Sequence, residues 1–134
     1  MFNRNRYFDE YFQQNAEPGE SYHYYFYVVK LASFTKFLVF QGAANFLGSH
    51  TIVCVTNKRI LICEMNQVTG NLTGATLEVN MDDVKNISLQ KGFLKTKVKV
   101  TFPDDSYLVF KPNNICIGLS NHKLHLAKLK EMHG

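Results

Sequence analysis

The chain has 134 residues, 46% of them hydrophobic and 19% charged, with 15 basic residues against 11 acidic ones for a net charge of +4. That length fits one domain able to bury well over half of its unfolded surface without a metal or disulfide staple, and the composition excludes a disordered chain. The mild positive excess permits contact with anionic lipid or nucleic acid without demanding either.

The opening segment, MFNRNRYFDE, is charged and has no apolar stretch of the kind a secretory signal needs, so a soluble cytoplasmic protein is expected. Within residues 3–15, Phe8, Tyr11 and Phe12 fall at i, i+3 and i+4 and predict a short amphipathic helix with one aromatic edge. Pro18-Gly19 ends it. Residues 1–17 thus form an arm, which can pack on its own domain or cover a neighbouring subunit, and residues 18–134 form the domain proper.

The run SYHYYFYVVK, Ser21 to Lys30, predicts a long strand, and Phe37 to Gln41 a short one that stops at Gly42. A Gly-, Ala- and Asn-rich loop follows through Gly48. No charged residue lies between Lys36 and Lys58, yet Gln41, Asn45, Ser49 and His50 make the stretch too polar to span a membrane. The clearest local pattern comes next: TIVCV (51–55) and RILIC (59–63) are two strands joined at Thr56-Asn57-Lys58. Asn tolerates the positive φ of a tight hairpin, and apolar residues on both faces predict a mostly buried pair. A turn at Asn57-Lys58 sets Cys54 opposite Leu61 and Cys63 opposite Ile52. The two cysteines are then diagonal neighbours roughly 7–8 Å apart, beyond ordinary disulfide reach. Cys116 makes the count odd, no CxxC spacing occurs, and all three are expected as small core residues.

Residues 67–74 (QVTGNLTG) are polar and predict a loop; Asn71 opens a glycosylation sequon there that has no meaning without a secretory signal. Thr76 to Met81 predicts a strand, Asp82-Asp83 a turn, and Val84 to Gln90 another strand. In the last hairpin, Leu94, Val98, Val100 and Phe102 are expected on one face with Lys95, Lys97 and Lys99 on the other. A two-residue turn at Asp104-Asp105 would mix the faces. A three-residue turn, Pro103-Asp104-Asp105, pairs Val100 with Leu108 and Val98 with Phe110, and puts Asp105 in the left-handed position of a bulged hairpin. The C-terminal segment is helical from about Leu119, with Leu126, Leu129 and Met132 on one side and either Ser120 as an N-cap or an earlier start at Asn113 or Asn114. The order is about eight strands and then one helix: a mostly β fold, α+β by count, in which the helix closes one end of a barrel or sandwich.

That order, with Thr56-Asn57-Lys58-Arg59-Ile60-Leu61-Ile62 at its centre and Gly48 ahead of it, resembles the bacterial pleckstrin-homology (PH) domains and the related GRAM-like domains, which show a "G…TNKRL" strand-turn-strand. Val79, Met81, Val84 and Ile87, with Asp82 and Asp83 between, match the group's next apolar stretch. The likeness covers about residues 18–133. It implies a bent antiparallel barrel of about seven to eight strands capped by the C-terminal helix, and no single function, because PH-like folds bind lipids, peptides and each other. Eukaryotic lipid binders of this kind hold phosphates with basic residues in the first loop, where this chain offers Lys30 and Lys36.

Lys95, Lys97, Lys99 and, across the hairpin, Lys111 should share one solvent face, either as an attractor of anionic lipid or as a solvated edge that discourages unwanted pairing. Arg59 is expected to hold a nearby carboxylate or carbonyl with its planar fork. His122 and His125 lack a third ligand at metal spacing. No GxSxG, HExxH, GxxxxGK[ST] or GxGxxG occurs, so neither catalysis nor a cofactor is expected. Alternating aromatics from Tyr22 to Tyr27 carry only Lys30 as a basic companion, a weak signal for single-stranded nucleic acid. The leading expectation is a module for protein contacts, self-association included, through the Phe8, Tyr11 and Phe12 edge or an exposed barrel edge. Peripheral attachment to anionic membrane through the lysine face is the alternative.

Overall fold

In the computed structural model, residues 4–29, 33–34 and 50–133 are described. The elements are α1 (Asn5–Gln14), β1 (Tyr24–Val28), β2 (Ser33–Phe34), β3 (Thr51–Val55), β4 (Arg59–Met65), β5 (Leu72–Asn80), a 3₁₀ turn (Met81–Asp83), β6 (Asn86–Lys91), β7 (Thr96–Thr101), β8 (Tyr107–Phe110) and α2 (Asn121–His133). Among the described residues these form two antiparallel sheets of four strands, one in the order β1-β3-β4-β5 and the other β2-β8-β7-β6. The strand expected over Phe37 to Gln41, and the loop after it, lie outside the described residues.

The apolar character of both faces of the β3–β4 hairpin has a direct structural reason. Val53, Val55, Ile60 and Ile62 face the main core between the sheets, together with Phe26, Val98, Val100, Leu108, Phe110, Leu126 and Leu129. Ile52, Cys54, Leu61 and Cys63 face the other way, into a second core that Phe8 and Phe12 of α1 and Tyr25 complete. The sheet is therefore covered on both sides, which removes the polar face an antiparallel sheet normally keeps. The pairing is Cys54 with Leu61 and Ile52 with Cys63, and both thiols are free and buried.

The elements depart from expectation at their ends and in the chemistry of their turns. The first strand begins at Tyr24 rather than Ser21, because Tyr24 already pairs with Val55, the last residue of β3, and nothing lies beyond it to extend the ladder. The 56–59 turn needs no positive φ at Asn57; among the described non-glycine residues only Asp105 has one, 68°. Instead the Thr56 hydroxyl accepts from the backbone N–H groups of Lys58 and Arg59, at 3.0 Å each. β5 starts at Leu72, inside the expected loop, and β6 starts two residues late, at Asn86. The 103–105 turn has the expected register, Val100 with Leu108 and Val98 with Phe110. Ser106 N–H donates to Asp104 Oδ1 at 3.0 Å and Phe102 N–H to Ser106 O at 2.9 Å, closing that turn.

Leu94 does not face the core; it is 71% exposed, and Thr96 takes the inward position. The cause is a tight turn at 92–95, closed by a bond from Gly92 N–H to Lys95 O at 2.8 Å, which lifts Leu94 out of the ladder. On α2 the buried positions are His122, His125, Leu126 and Leu129, while Met132 is 47% exposed. Two imidazoles occupy the face because α2 lies along the open edge of β1. Tyr27 N–H donates to His122 Nδ1 at 3.0 Å, and His125 Nδ1 sits 3.1 Å from Tyr25 N and 3.0 Å from Tyr25 O. The helix thus supplies ring nitrogens where a further strand would supply carbonyls.

Candidate functional site

The lysine face is built by the two-residue period of β7. Thr96, Val98 and Val100 point inward, so Lys97 and Lys99 point outward. Val98 pairs with Phe110 and Lys95 with Asn113, so the residue opposite Lys97 is Lys111. Like charges placed directly across a ladder repel, an arrangement that counter-ions or an anionic surface relieve. Lys95, Lys97 and Lys111 are exposed. Lys99 is half-buried, its Nζ 4.7 Å from the centre of the Tyr107 ring, a cation–π contact. Among the described residues none of the four forms an ion pair. Lys95 and Lys111 enter a groove of about 630 Å³ with Val29, Asn113, Ile115 and Ile117. Among the described residues its lining contains no carboxylate.

In this groove, and on the turn just before Lys95, stand exposed apolar side chains that sequence reasoning did not single out. Phe93 is 94% exposed, Ile115 65% and Ile117 76%. The sequence carried little signal: Phe93 follows the turn glycine Gly92, and Ile115-Cys116-Ile117 before Gly118 belongs to none of the expected elements.

Elsewhere the named residues have internal partners. Arg59 grips Glu20 with two bonds, Nε to Oε2 at 3.0 Å and Nη2 to Oε1 at 3.1 Å, and Nη2 also donates to Asn15 O at 2.7 Å. The Thr56 hydroxyl donates to Glu20 Oε2 at 2.6 Å. Asn57 accepts from Ser21 N–H at 2.9 Å and donates to Gly19 O at 3.0 Å. The TNKR turn is accordingly a clamp on residues 15–21, the link between α1 and β1. The Glu20 side chain is sealed from solvent. Burial by itself would raise its pKa, but the bonds from Arg59, Thr56 and the Glu17 backbone outweigh it and bring it down to about 2.

Phe8 and Phe12 are buried in the second core and Tyr11 packs beside them, so the aromatic edge of α1 is occupied by its own sheet. Tyr25 and Phe26 are buried as well, and Tyr22 and Tyr24 stack on each other at 4.8 Å between ring centres. His122 and His125 turn their Nδ1 atoms to the β1 backbone. Among the described residues no group of three or more His, Cys, Asp or Glu is placed to hold a metal ion. No helix among them is long and apolar enough to cross a membrane. Lys30 and Lys36 lie outside the described residues.

Two four-stranded antiparallel sheets, closed by a C-terminal helix and carrying a basic groove, define a PH-like binding module. The family model described as bacterial PH domain matches residues 17–123, and the chain belongs to that family. PH-like domains are generally non-catalytic modules for binding and scaffolding. No curated protein matches the sequence. Among solved structures, the hSac2 domain from human phosphoinositide phosphatase Sac2 is similar at a TM-score of 0.49 and 7% identity, over 95% of this chain and 76% of that one.

Proposed function

We propose that this module attaches peripherally to anionic membrane surfaces through the face formed by Lys95, Lys97, Lys99 and Lys111. One observation carries the reading: like-charged Lys97 and Lys111 stand opposite each other, beside Lys95, with no acidic partner among the described residues. Each basic residue near a charged leaflet is worth about 1 kcal/mol, so a cluster of this size holds a domain weakly and reversibly. The test is co-sedimentation with phosphatidylcholine vesicles containing phosphatidylserine, at low and at physiological salt. The Lys95→Glu, Lys97→Glu, Lys111→Glu variant should lose at least about a hundredfold in affinity at low salt, and wild-type binding should weaken as salt rises. Equal binding by variant and wild type would sink the reading.

Protein contacts, self-association included, form the second reading. With Phe8 and Phe12 inside the second core, one surface open to it is the outer edge of β5, whose Thr73, Ala75 and Thr76 are exposed. Light scattering over a wide concentration range tests it, and a strict monomer throughout removes self-association.

A further inference from the structure

We propose that the turn between β6 and β7, Gly92 to Lys95, inserts into the membrane, with Phe93 and Leu94 entering the acyl boundary while the lysines around them stay among the headgroups. The proposal rests on the membrane reading above and adds an apolar, salt-resistant component to it.

Single exposed apolar residues are ordinary, but here two stand side by side on one turn, and the segment tied to that turn leads into two more. Asn114 bonds to the backbone of the turn, Ile115 follows it in sequence, and Ile115 and Ile117 line the groove that Lys95 and Lys111 enter. Lys91 and Lys95 bracket the tip in sequence. Lys91 also lines a second groove, with Asn114, Lys123, Lys130 and the carboxylate of Glu131. Apolar side chains at a projecting tip, flanked by long basic ones, match the order of layers in an anionic membrane: hydrocarbon beneath, phosphate above.

The backbone of the tip is equally informative. Hydrocarbon cannot hydrogen-bond, so a carbonyl carried into it needs a partner from the protein. Gly92 O and Phe93 O both accept from Asn114 Nδ2, at 3.0 and 3.1 Å. Leu94 O accepts from Asn114 N–H at 2.9 Å and Lys95 O from Gly92 N–H at 2.8 Å. Four successive carbonyls are thus satisfied without water. The same bonds fix the shape of the turn, and a Cβ at position 92 would meet Lys95 O at 2.9 Å, which accounts for the glycine. A protein partner would need a matching pocket for two side chains that stand this far out, and lipid does not.

The chain contains no tryptophan, so Phe93→Trp introduces a single indole at the tip. On phosphatidylcholine vesicles containing phosphatidylserine, its emission should shift to the blue and be quenched by lipids brominated in the acyl chain. The Phe93→Ser, Leu94→Ser double variant should partition at least about tenfold more weakly at both low and high salt, with unchanged far-UV circular dichroism. Vesicle binding with an unshifted, unquenched indole would overturn insertion and leave electrostatic attachment standing. No binding by wild type would overturn both. A dimer in light scattering that the double variant abolishes, without vesicle binding, would assign the patch to a second copy of the chain and overturn the proposal.

Discussion

At the scale of single residues, Glu20 and Arg59 decide more than their surface neighbours. Breaking a buried, doubly bonded ion pair leaves an uncompensated charge, so Arg59→Ala or Glu20→Ala should cost about 3–5 kcal/mol in urea unfolding. The pair also sets an acid limit. A carboxylate held at about 2 in the fold and near 4.5 when unfolded contributes stability that is complete above 4.5. It is lost as pH falls from there through 2. The Glu20→Gln variant should lack that part of the acid transition. His122 sets a second window. Burial lowers its pKa against the opposing bond to Asn113 O, and the nearby His125 lowers it further. The fold therefore prefers the neutral ring, its stabilisation is whole above about 6.5, and it erodes as pH falls below that value. His122→Asn keeps an acceptor for Tyr27 N–H without a titrating group. Its urea midpoint should change less than that of wild type between pH about 7.5 and about 5.5. Equal changes would place the acid sensitivity elsewhere.

At the scale of elements, what could be read from the sequence followed the strength of local constraints. The β3–β4 register and the 103–105 turn were legible because a one-residue slip would exchange buried and exposed faces. Asp105, at φ 68°, is the residue on which that turn depends. Replacing it with Val should cost about 1–2 kcal/mol in unfolding measurements, whereas Gly should be tolerated. Leu94 was misplaced because alternation continued past a turn that only the bond between Gly92 and Lys95 reveals. The start of β5 was hidden because Gly74 and the polar residues around it carry loop composition. Its ladder comes from β4, with Met65 pairing Leu72, a tertiary choice that no local propensity records. The imidazoles of α2 could be read as the edge of a packed helix, but not their partners, which are backbone atoms of a strand some hundred residues earlier. The lysine face followed from period-two alternation, but Lys97 opposite Lys111 became readable only once the hairpin register was fixed.

At the scale of the whole molecule, α1 is a structural layer as much as an arm. Arg4 N–H donates to Gly118 O at 2.7 Å, Tyr7 OH accepts from Leu72 N–H at 2.9 Å, and Asn5 Oδ1 accepts from Asn121 N–H at 3.0 Å, the first residue of α2. The helix thus ties one sheet, the β4–β5 connection and the C-terminal helix together. Phe12→Ala should cost about 3–5 kcal/mol. Removing residues 1–16 should expose Tyr25, Ile52 and Leu61 and give a chain that binds hydrophobic dyes, while a native-like melting curve for that shortened chain would show that the sheet stands without its cover. Cys54 and Cys63 lie on the two central strands under this helix, with burial pushing the Cys63 thiol up to about 11 and that of Cys54 up as well. A thiol reagent reaches them only when the helix lifts or the sheet opens, whereas half-buried Cys116 offers an internal reference on the same chain. The protein therefore carries its own clock: the lag between the reaction of Cys116 and that of the hidden pair measures how often the α1 layer breathes.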